Sequence, residues 1–381
     1  MPIYLDNAAT SYPKPESVYR AVDQALRHAA GNPGRGGHDF SLAATRSVLD
    51  ARDTVAGLFG ITDSSRVVFT SGATEAINLA LFGLLQPGDR VVTTSMEHNA
   101  VVRPLRALQD AGVEVVKVAA DRTGLVASAD LQQACADPTR MLVMSHCSNV
   151  TGTLQPIEAL GPWCRQRGIL LLVDAAQSAG IFPIDVEDHA IDLLAVPGHK
   201  GLFGPAGTGF LYVRDGLSPR PLIYGGTGSS SSSDLQPEAM PERLESGTLN
   251  TSGLAGLKAG IEFVQQTGLE TIRRHEQELL QDLLAGLRRI AGVSVFGPGA
   301  VIRHGGAVSF RLDQADPSET GFLLDREFGI CCRVGLHCSP DAHKSIGSYP
   351  AGTIRVSPGY FNTQQEIDQL LAAVSSLAAR C

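Results

Sequence analysis

Of 31 basic residues five are lysines, and Lys200 stands apart from the other four. Lys14 lies between prolines, Lys117 in a strand pattern, Lys258 on a helical pattern and Lys344 on a polar loop. Lys200 follows the apolar run 191–196 through the short step Pro197, Gly198, His199, and glycines follow at 201, 204, 207 and 209. In an open α/β sheet ligands sit outside the carboxyl ends of the strands, so a lysine placed there reaches into the crevice. Once desolvated, its amine loses affinity for its proton and becomes a nucleophile towards carbonyl groups.

A second apolar run, 169–173, ends in Asp174-Ala175-Ala176-Gln177-Ser178. A carboxylate there meets the same crevice. Pyridoxal phosphate acts as an electron sink when an aspartate keeps its ring nitrogen protonated and a lysine holds its aldehyde, and Asp174 and Lys200 are those two parts. Taken alone, Asp174 would read as a helix N-cap. A third strand end reads Phe69-Thr70-Ser71-Gly72-Ala73-Thr74 and enters a helix at Glu75. Free N–H groups at a helix start, with the hydroxyls of Ser71 and Thr74, make a phosphate site, although plain capping uses the same residues. At a fourth strand end, Glu97-His98-Asn99 places the flat ring of His98 where a planar cofactor would lie; an ordinary polar histidine is the alternative.

The segment Arg333-Val334-Gly335-Leu336-His337-Cys338 sets a cysteine behind a strand and a glycine, 17 residues before Arg355. A nearby cation, Arg333 or a protonated His337, would lower the thiol pKa and raise the share of thiolate. Cys331 and Cys332 fall in the preceding strand pattern and read as buried hydrophobes. Together with His337 and Cys338 they lack the pair spacing of a zinc site, so no metal is expected.

The elements that carry these residues alternate. Strand patterns at 66–70, 90–94, 113–119, 141–145, 169–173, 191–196 and 209–213 are mostly separated by helix-length segments, which predicts a mainly parallel sheet covered by helices. The serine-rich stretch 225–234 reads as a flexible loop. Helical periodicity near 254 and at 271–290, then short strands at 293–296, 307–312, 330–334 and 353–356, predict a smaller α/β domain. The expected division is a large domain over 15–250 and a small one over 251–381.

The chain of 381 residues carries 39 acidic against 31 basic residues, a formal charge of -8 with no dense basic stripe, which argues against nucleic-acid binding. No stretch approaches the roughly 18 apolar residues of a membrane span. Residues 1–7 show no signal segment, and seven scattered cysteines do not form a secreted disulfide framework, so a cytoplasmic protein with reduced thiols is expected. Gly-x-Gly-x-x-Gly, a P-loop Gly-Lys pair, Gly-x-Ser-x-Gly and a zincin His pair are all missing.

With these residues in place the chain resembles class V aminotransferases, specifically the cysteine desulfurase and selenocysteine lyase family. The match runs through Leu5-Asp6-Asn7-Ala8-Ala9-Thr10, Thr70-Ser71-Gly72-Ala73-Thr74-Glu75-Ala76, Glu97-His98-Asn99, Ser148-Asn149-Val150-Thr151-Gly152, Asp174-Ala175-Ala176-Gln177, Gly198-His199-Lys200, Glu245-Ser246-Gly247-Thr248 and Arg355-Val356-Ser357. The resemblance implies the aspartate aminotransferase type I fold, with the N-terminal segment 1–14 joined to the small domain. It implies that Lys200 holds the aldehyde of pyridoxal 5'-phosphate, Asp174 faces the ring nitrogen, Gln177 the ring oxygen, and His98 stacks on the ring. Thr74 and His199 would bind the phosphate. Gly247 and Thr248 would reach the phosphate site of a second subunit, which makes the expected working unit a homodimer. Asn149 and Arg355 would hold the substrate carboxylate. Pro197 departs from the pattern, since the family commonly has a serine hydroxyl there facing the phosphate.

Cys338 matches the family's sulfur-accepting cysteine, and its short span to Arg355 resembles the compact group II loop. The implied reaction turns L-cysteine into L-alanine, with sulfur held on Cys338 as a persulfide for an acceptor protein or thiol. L-Selenocysteine is the rival substrate, as for a selenocysteine lyase. A kynureninase-like or epimerase-like enzyme would keep Lys200 and Asp174 without needing the cysteine. Arg35 and His38, in a glycine-rich turn, are candidates for the entrance of the site.

Overall fold

The computed structural model describes residues 2–29, 31–34, 36–228 and 232–380. Arg35 and part of the serine run lie outside these. Seven strands form the large sheet, with spatial order Val67–Thr70, Gly209–Val213, Leu193–Pro197, Leu170–Asp174, Met141–Ser145, Arg90–Thr94, Glu114–Val118. Only Gly209–Val213 runs against the rest, pairing antiparallel with both neighbours. The predicted mainly parallel sheet is therefore found.

Its central strands are apolar along their whole length because both faces are covered. Leu171, Val173, Leu194, Val196 and Phe210 pack towards the helices Asp39–Leu58, Ile157–Gln166 and Thr251–Thr267. Leu170, Leu172, Leu193, Ala195 and Leu211 pack the other way, against Ala73–Leu84 and Asn99–Asp110. Successive residues of a strand thus feed two different cores. The carboxyl ends of all six co-directional strands open on one edge, and the segments after Val67–Thr70, Arg90–Thr94, Met141–Ser145, Leu170–Asp174 and Leu193–Pro197 carry side chains to a common cavity there.

The smaller unit is a four-stranded antiparallel sheet, Arg333–Gly335, Thr353–Val356, Val308–Leu312, Val293–Phe296, packed on the helices Leu269–Arg289, Pro317–Phe328 and Gln364–Ala378. Ile3 and Leu5 belong to this core, and the strand Ile3–Tyr4 pairs in parallel with Ile330–Cys331. The helix Thr251–Thr267 lies elsewhere: Leu254, Leu257 and Ile261 are buried in the large core. We therefore propose the domain boundary near Gly268, between this helix and Leu269–Arg289, in place of 251. The strand pattern 330–334 is in fact two strands that serve different sheets, split at Cys332.

Candidate active site

At the carboxyl edge lies a cavity of about 340 Å³, lined by residues that include Ser71, Thr74, His98, Asn149, Asp174, Gln177, Pro197, His199, Lys200, Arg333 and Arg355. Five of the six co-directional strand ends contribute; Glu114–Val118, at the sheet edge, does not. Lys200 follows Leu193–Pro197 by the step the sequence suggested, and its amine is pushed down to about 8, first by burial, with Arg355 and Arg333 adding to this and Asp174 opposing it. Asp174 ends its strand in register with Ser145 on one side and Ala195 on the other. Burial pushes its carboxyl up, while the Ala176 N–H donated to Oδ1 at 2.9 Å and the Lys200 charge favour the anion. Asp174 is thus both a local cap and a wall of the cavity.

His98 likewise does two things. Its Nδ1 accepts from Ala100 N at 3.0 Å, capping Asn99–Asp110, and the ring faces the cavity. Burial and the nearby Lys200 push it down to about 4, so the ring is neutral at physiological pH. Gln177 is anchored by donating from Nε2 to the Ala8 carbonyl at 2.9 Å. The helix Ala73–Leu84 begins at Gly72 with no side chain capping it, so its N-terminal amides face the cavity beside Thr74. Gly72 is favoured by its φ of 158°, and a Cβ on Gly209 of the adjacent strand would meet Gly72 Cα at 2.6 Å, so the close approach of the two segments requires glycine at 209. Ser71 is not free to help, because its hydroxyl donates to Glu75 Oε2 at 2.6 Å.

Arg355 is buried on Thr353–Val356, donating from Nη2 to Asp6 Oδ1 at 2.7 Å and from Nη1 to the Asn149 carbonyl at 3.0 Å. Its Nε is buried without a partner, as is His199 Nδ1. Such orphaned donors are costly unless a ligand meets them. The Asp174 carboxylate, an open helix start, an unpartnered imidazole and an unpartnered guanidine nitrogen therefore fit a planar pyridinium ring with a phosphate, together with a substrate carboxylate.

Cys338 is exposed and does not itself line the cavity; Arg333, which does, places its Nη2 3.4 Å from the Cys338 Sγ. Of the two cations expected beside it, only Arg333 qualifies. His337 is buried against Thr353 Oγ1 at 3.0 Å, and burial together with Arg355 pushes it to about 2, so it carries no charge at neutral pH. Gly247 and Thr248 are exposed and absent from this cavity; Thr248 lines a neighbouring cleft that shares Ser71 and Glu75 with it. His38 caps Asp39–Leu58 through its side chain. No group of ligands that could hold a metal occurs among the described residues.

Other residues complete the site. Glu97, 1% exposed, accepts from Thr94 Oγ1 at 2.6 Å and from the Ser145 amide and hydroxyl, both at 2.9 Å, and burial pushes it up to about 7. Cys147 lines the cavity but is buried and pushed up to about 12, which keeps it a thiol. Lys14 is folded inwards, donating to Ser11 Oγ and to the His199 carbonyl, each at 2.8 Å. Thr10 and Ser11 add further bonds to that carbonyl, so the N-terminal segment fixes the step that presents Lys200.

The aminotransferase class-V family model matches residues 3–370. A probable cysteine desulfurase of Methanothermobacter thermautotrophicus is 37% identical over 99% of this chain and 94% of its own length. A cysteine desulfurase of Pectobacterium atrosepticum is 35% identical over 98% and 92%. Among solved structures, an apo cysteine desulfurase from Thermococcus onnurineus superimposes with a TM-score of 0.94 at 32% identity, covering 100% of this chain and 95% of that one. The fold is that of the type I pyridoxal-phosphate enzymes. With this match running from the first strand to the last helix, and with the lysine and aspartate that such chemistry requires facing one cavity, the chain belongs to the aminotransferase class-V family.

Proposed function

We propose that this protein is a pyridoxal-phosphate-dependent cysteine desulfurase that converts L-cysteine to L-alanine and takes the sulfur onto Cys338. The observation that carries the reading is the exposed Cys338 thiol, which accepts a hydrogen bond from Arg333, a residue lining the cavity that holds Lys200 and Asp174. The names of the relatives support the same substrate.

Pyridoxal phosphate, when bound, drains electrons from the substrate carbons and so makes their bonds to hydrogen and sulfur breakable. Lys200 would hold its aldehyde and, when freed, move the proton at the substrate α-carbon; an amine near 8 suits both tasks. Asp174 would keep the ring nitrogen protonated, Gln177 face the ring oxygen and the neutral His98 lie against the ring. Thr74, His199 and the start of Ala73–Leu84 would bind the phosphate, with Pro197 supplying no hydroxyl. Arg355, with Asn149, would hold the substrate carboxylate; its Nε has no partner in the protein, and Nη1 and Nη2 each keep a second N–H beyond their bonds to Asn149 and Asp6. Cys338 Sγ then bonds to the substrate sulfur as the carbon–sulfur bond breaks. The electron pair stays on the carbon side, where a proton completes the methyl group of alanine, and the sulfur remains as a persulfide for an acceptor protein or thiol.

The exposed Gly247 and Thr248, the latter on a cleft beside the cavity, support a homodimer in which each copy lends them to its partner's phosphate site. No helix among the described residues is long and apolar enough to cross a membrane.

The test is Cys338→Ala with cysteine and selenocysteine as parallel substrates. Loss of alanine formation from cysteine by about 100-fold or more, with cofactor uptake retained, is the expected result. Unchanged release from cysteine would refute the reading. A wild-type rate far higher with selenocysteine, unaffected by the substitution, would favour a selenocysteine lyase instead.

A further inference from the structure

Cys338 lies in a turn that ordinary side chains resist. His337 at φ 48° and Cys338 at φ 60° both occupy the left-handed region, which costs energy for residues other than glycine and persists only where the surroundings fix it. The bonds that fix it converge on one side chain. Asn149 Nδ2 donates to the His337 carbonyl at 2.7 Å, and Asn149 Oδ1 accepts from Ser339 Oγ at 2.8 Å. One amide therefore grips the chain on both sides of Cys338. The Cys338 carbonyl itself accepts from Asn99 N at 2.8 Å, next to His98. Asn149 also reaches the other end of the chemistry, since its backbone carbonyl accepts from Arg355 Nη1. It is 7% exposed and lines the cavity.

We infer that Asn149 is a positioning residue for Cys338, tying the turn that presents the sulfur acceptor to the arginine that receives the substrate carboxylate. This goes beyond its expected contact with the carboxylate, and it rests on the desulfurase reading. The two duties are compatible. A primary amide has two N–H groups and one oxygen; the turn uses one N–H and the oxygen, which leaves one N–H for a ligand in the cavity. Asn149 thus links substrate seating to the distance between Cys338 and the substrate sulfur, and a shift of about 1 Å in such a distance is enough to cost about 100-fold in rate.

Ser339 separates the two duties, because it bonds Asn149 but does not line the cavity. Ser339→Ala is expected to lower the rate of persulfide formation on Cys338 about tenfold, the effect of one lost hydrogen bond, with the KM for cysteine changed less than twofold. Asn149→Ala is expected to lower the rate and raise KM, and the double variant to be no slower than Asn149→Ala alone. Amide hydrogen exchange on the cofactor-free protein is the readout independent of turnover: residues 336–339 are expected to exchange about tenfold faster in both single variants. Unchanged exchange there, or a Ser339→Ala enzyme that differs from wild type only in KM, would overturn the inference. A wild-type enzyme that never forms the persulfide, while exchange still accelerates in the variants, would instead bring down the desulfurase reading and with it the catalytic meaning of the clamp.

Discussion

The reactivity of Lys200 is a quantitative consequence of where the fold puts it. Burial lowers its amine from 10.5 to about 8, against the opposing pull of Asp174. At pH 7 an amine of pKa 8 is about 9% free base, whereas one at 10.5 is about 0.03%, so the buried site multiplies the nucleophile about 300-fold. The perturbation is pH together with Arg333→Met, which removes a cation that helps to depress Lys200. Trace acylation of the cofactor-free protein, followed by peptide mass mapping, gives the titration of each lysine separately. Lys200 is expected to titrate near 8 in the wild type and to move up by about half a unit to one unit in Arg333→Met, since Arg333 ranks below burial, Asp174 and Arg355 among the causes. Lys14 supplies an internal control: it too is pushed down to about 8, by burial alone, so its titration should stay in place. A Lys200 midpoint near 10 in both proteins would refute the reasoning. An equal shift of both lysines would show a change in packing in place of a change in local charge.

Two further outcomes test how the site is held. Arg52 and Glu245 form a bidentate pair at 2.7 and 2.8 Å, 5% and 6% exposed, at the head of the Glu245-Ser246-Gly247-Thr248 motif. Arg52→Ala leaves a buried carboxylate unpaired and is expected to cost about 3–5 kcal/mol in urea unfolding; a loss below about 1 kcal/mol would contradict this. Glu276, buried in the small-domain helix Leu269–Arg289, is pushed by burial up to about 8. Between the unfolded carboxyl pKa and about 8 the unfolded chain gives up this proton while the folded protein keeps it, so the group erodes stability as pH rises through that window. Glu276→Gln should therefore gain stability relative to wild type from pH 5 to pH 8 in paired unfolding curves, and a constant difference would contradict the assignment.

The strands were legible in the sequence where both faces are buried. Runs such as Arg90–Thr94, Met141–Ser145 and Gly209–Val213 are dense in β-branched, aromatic and apolar residues because helices cover the sheet on each side, and they stand where the pattern places them. Lys200 and Asp174 were legible for the same reason, as polar residues just beyond such runs. What the sequence hides is tertiary. Nothing local marks Ile3–Tyr4 as a strand, since its partner Ile330–Cys331 lies at the far end of the chain. Lys14 is marked in the sequence only by its flanking prolines, yet the fold turns it onto the His199 carbonyl. The charge state of His337 depends on its burial beneath Thr353, which adjacency to Cys338 does not reveal. Thr251–Thr267 has a clear helical pattern, but the pattern does not say which core it joins, and Leu257 joins the large one. Glu97 sits in a visible motif, though only the bonds to Ser145 show that its work is to brace the strand end beside Asp174.

The central claim is that the Lys200 amine holds the pyridoxal phosphate aldehyde in the cavity it shares with Asp174. Loading the protein with the cofactor, reducing with borohydride and mapping peptides by mass tests it directly. One pyridoxyl group per chain, on Lys200, is expected. An adduct spread over exposed lysines such as Lys344, or none at all, would contradict it.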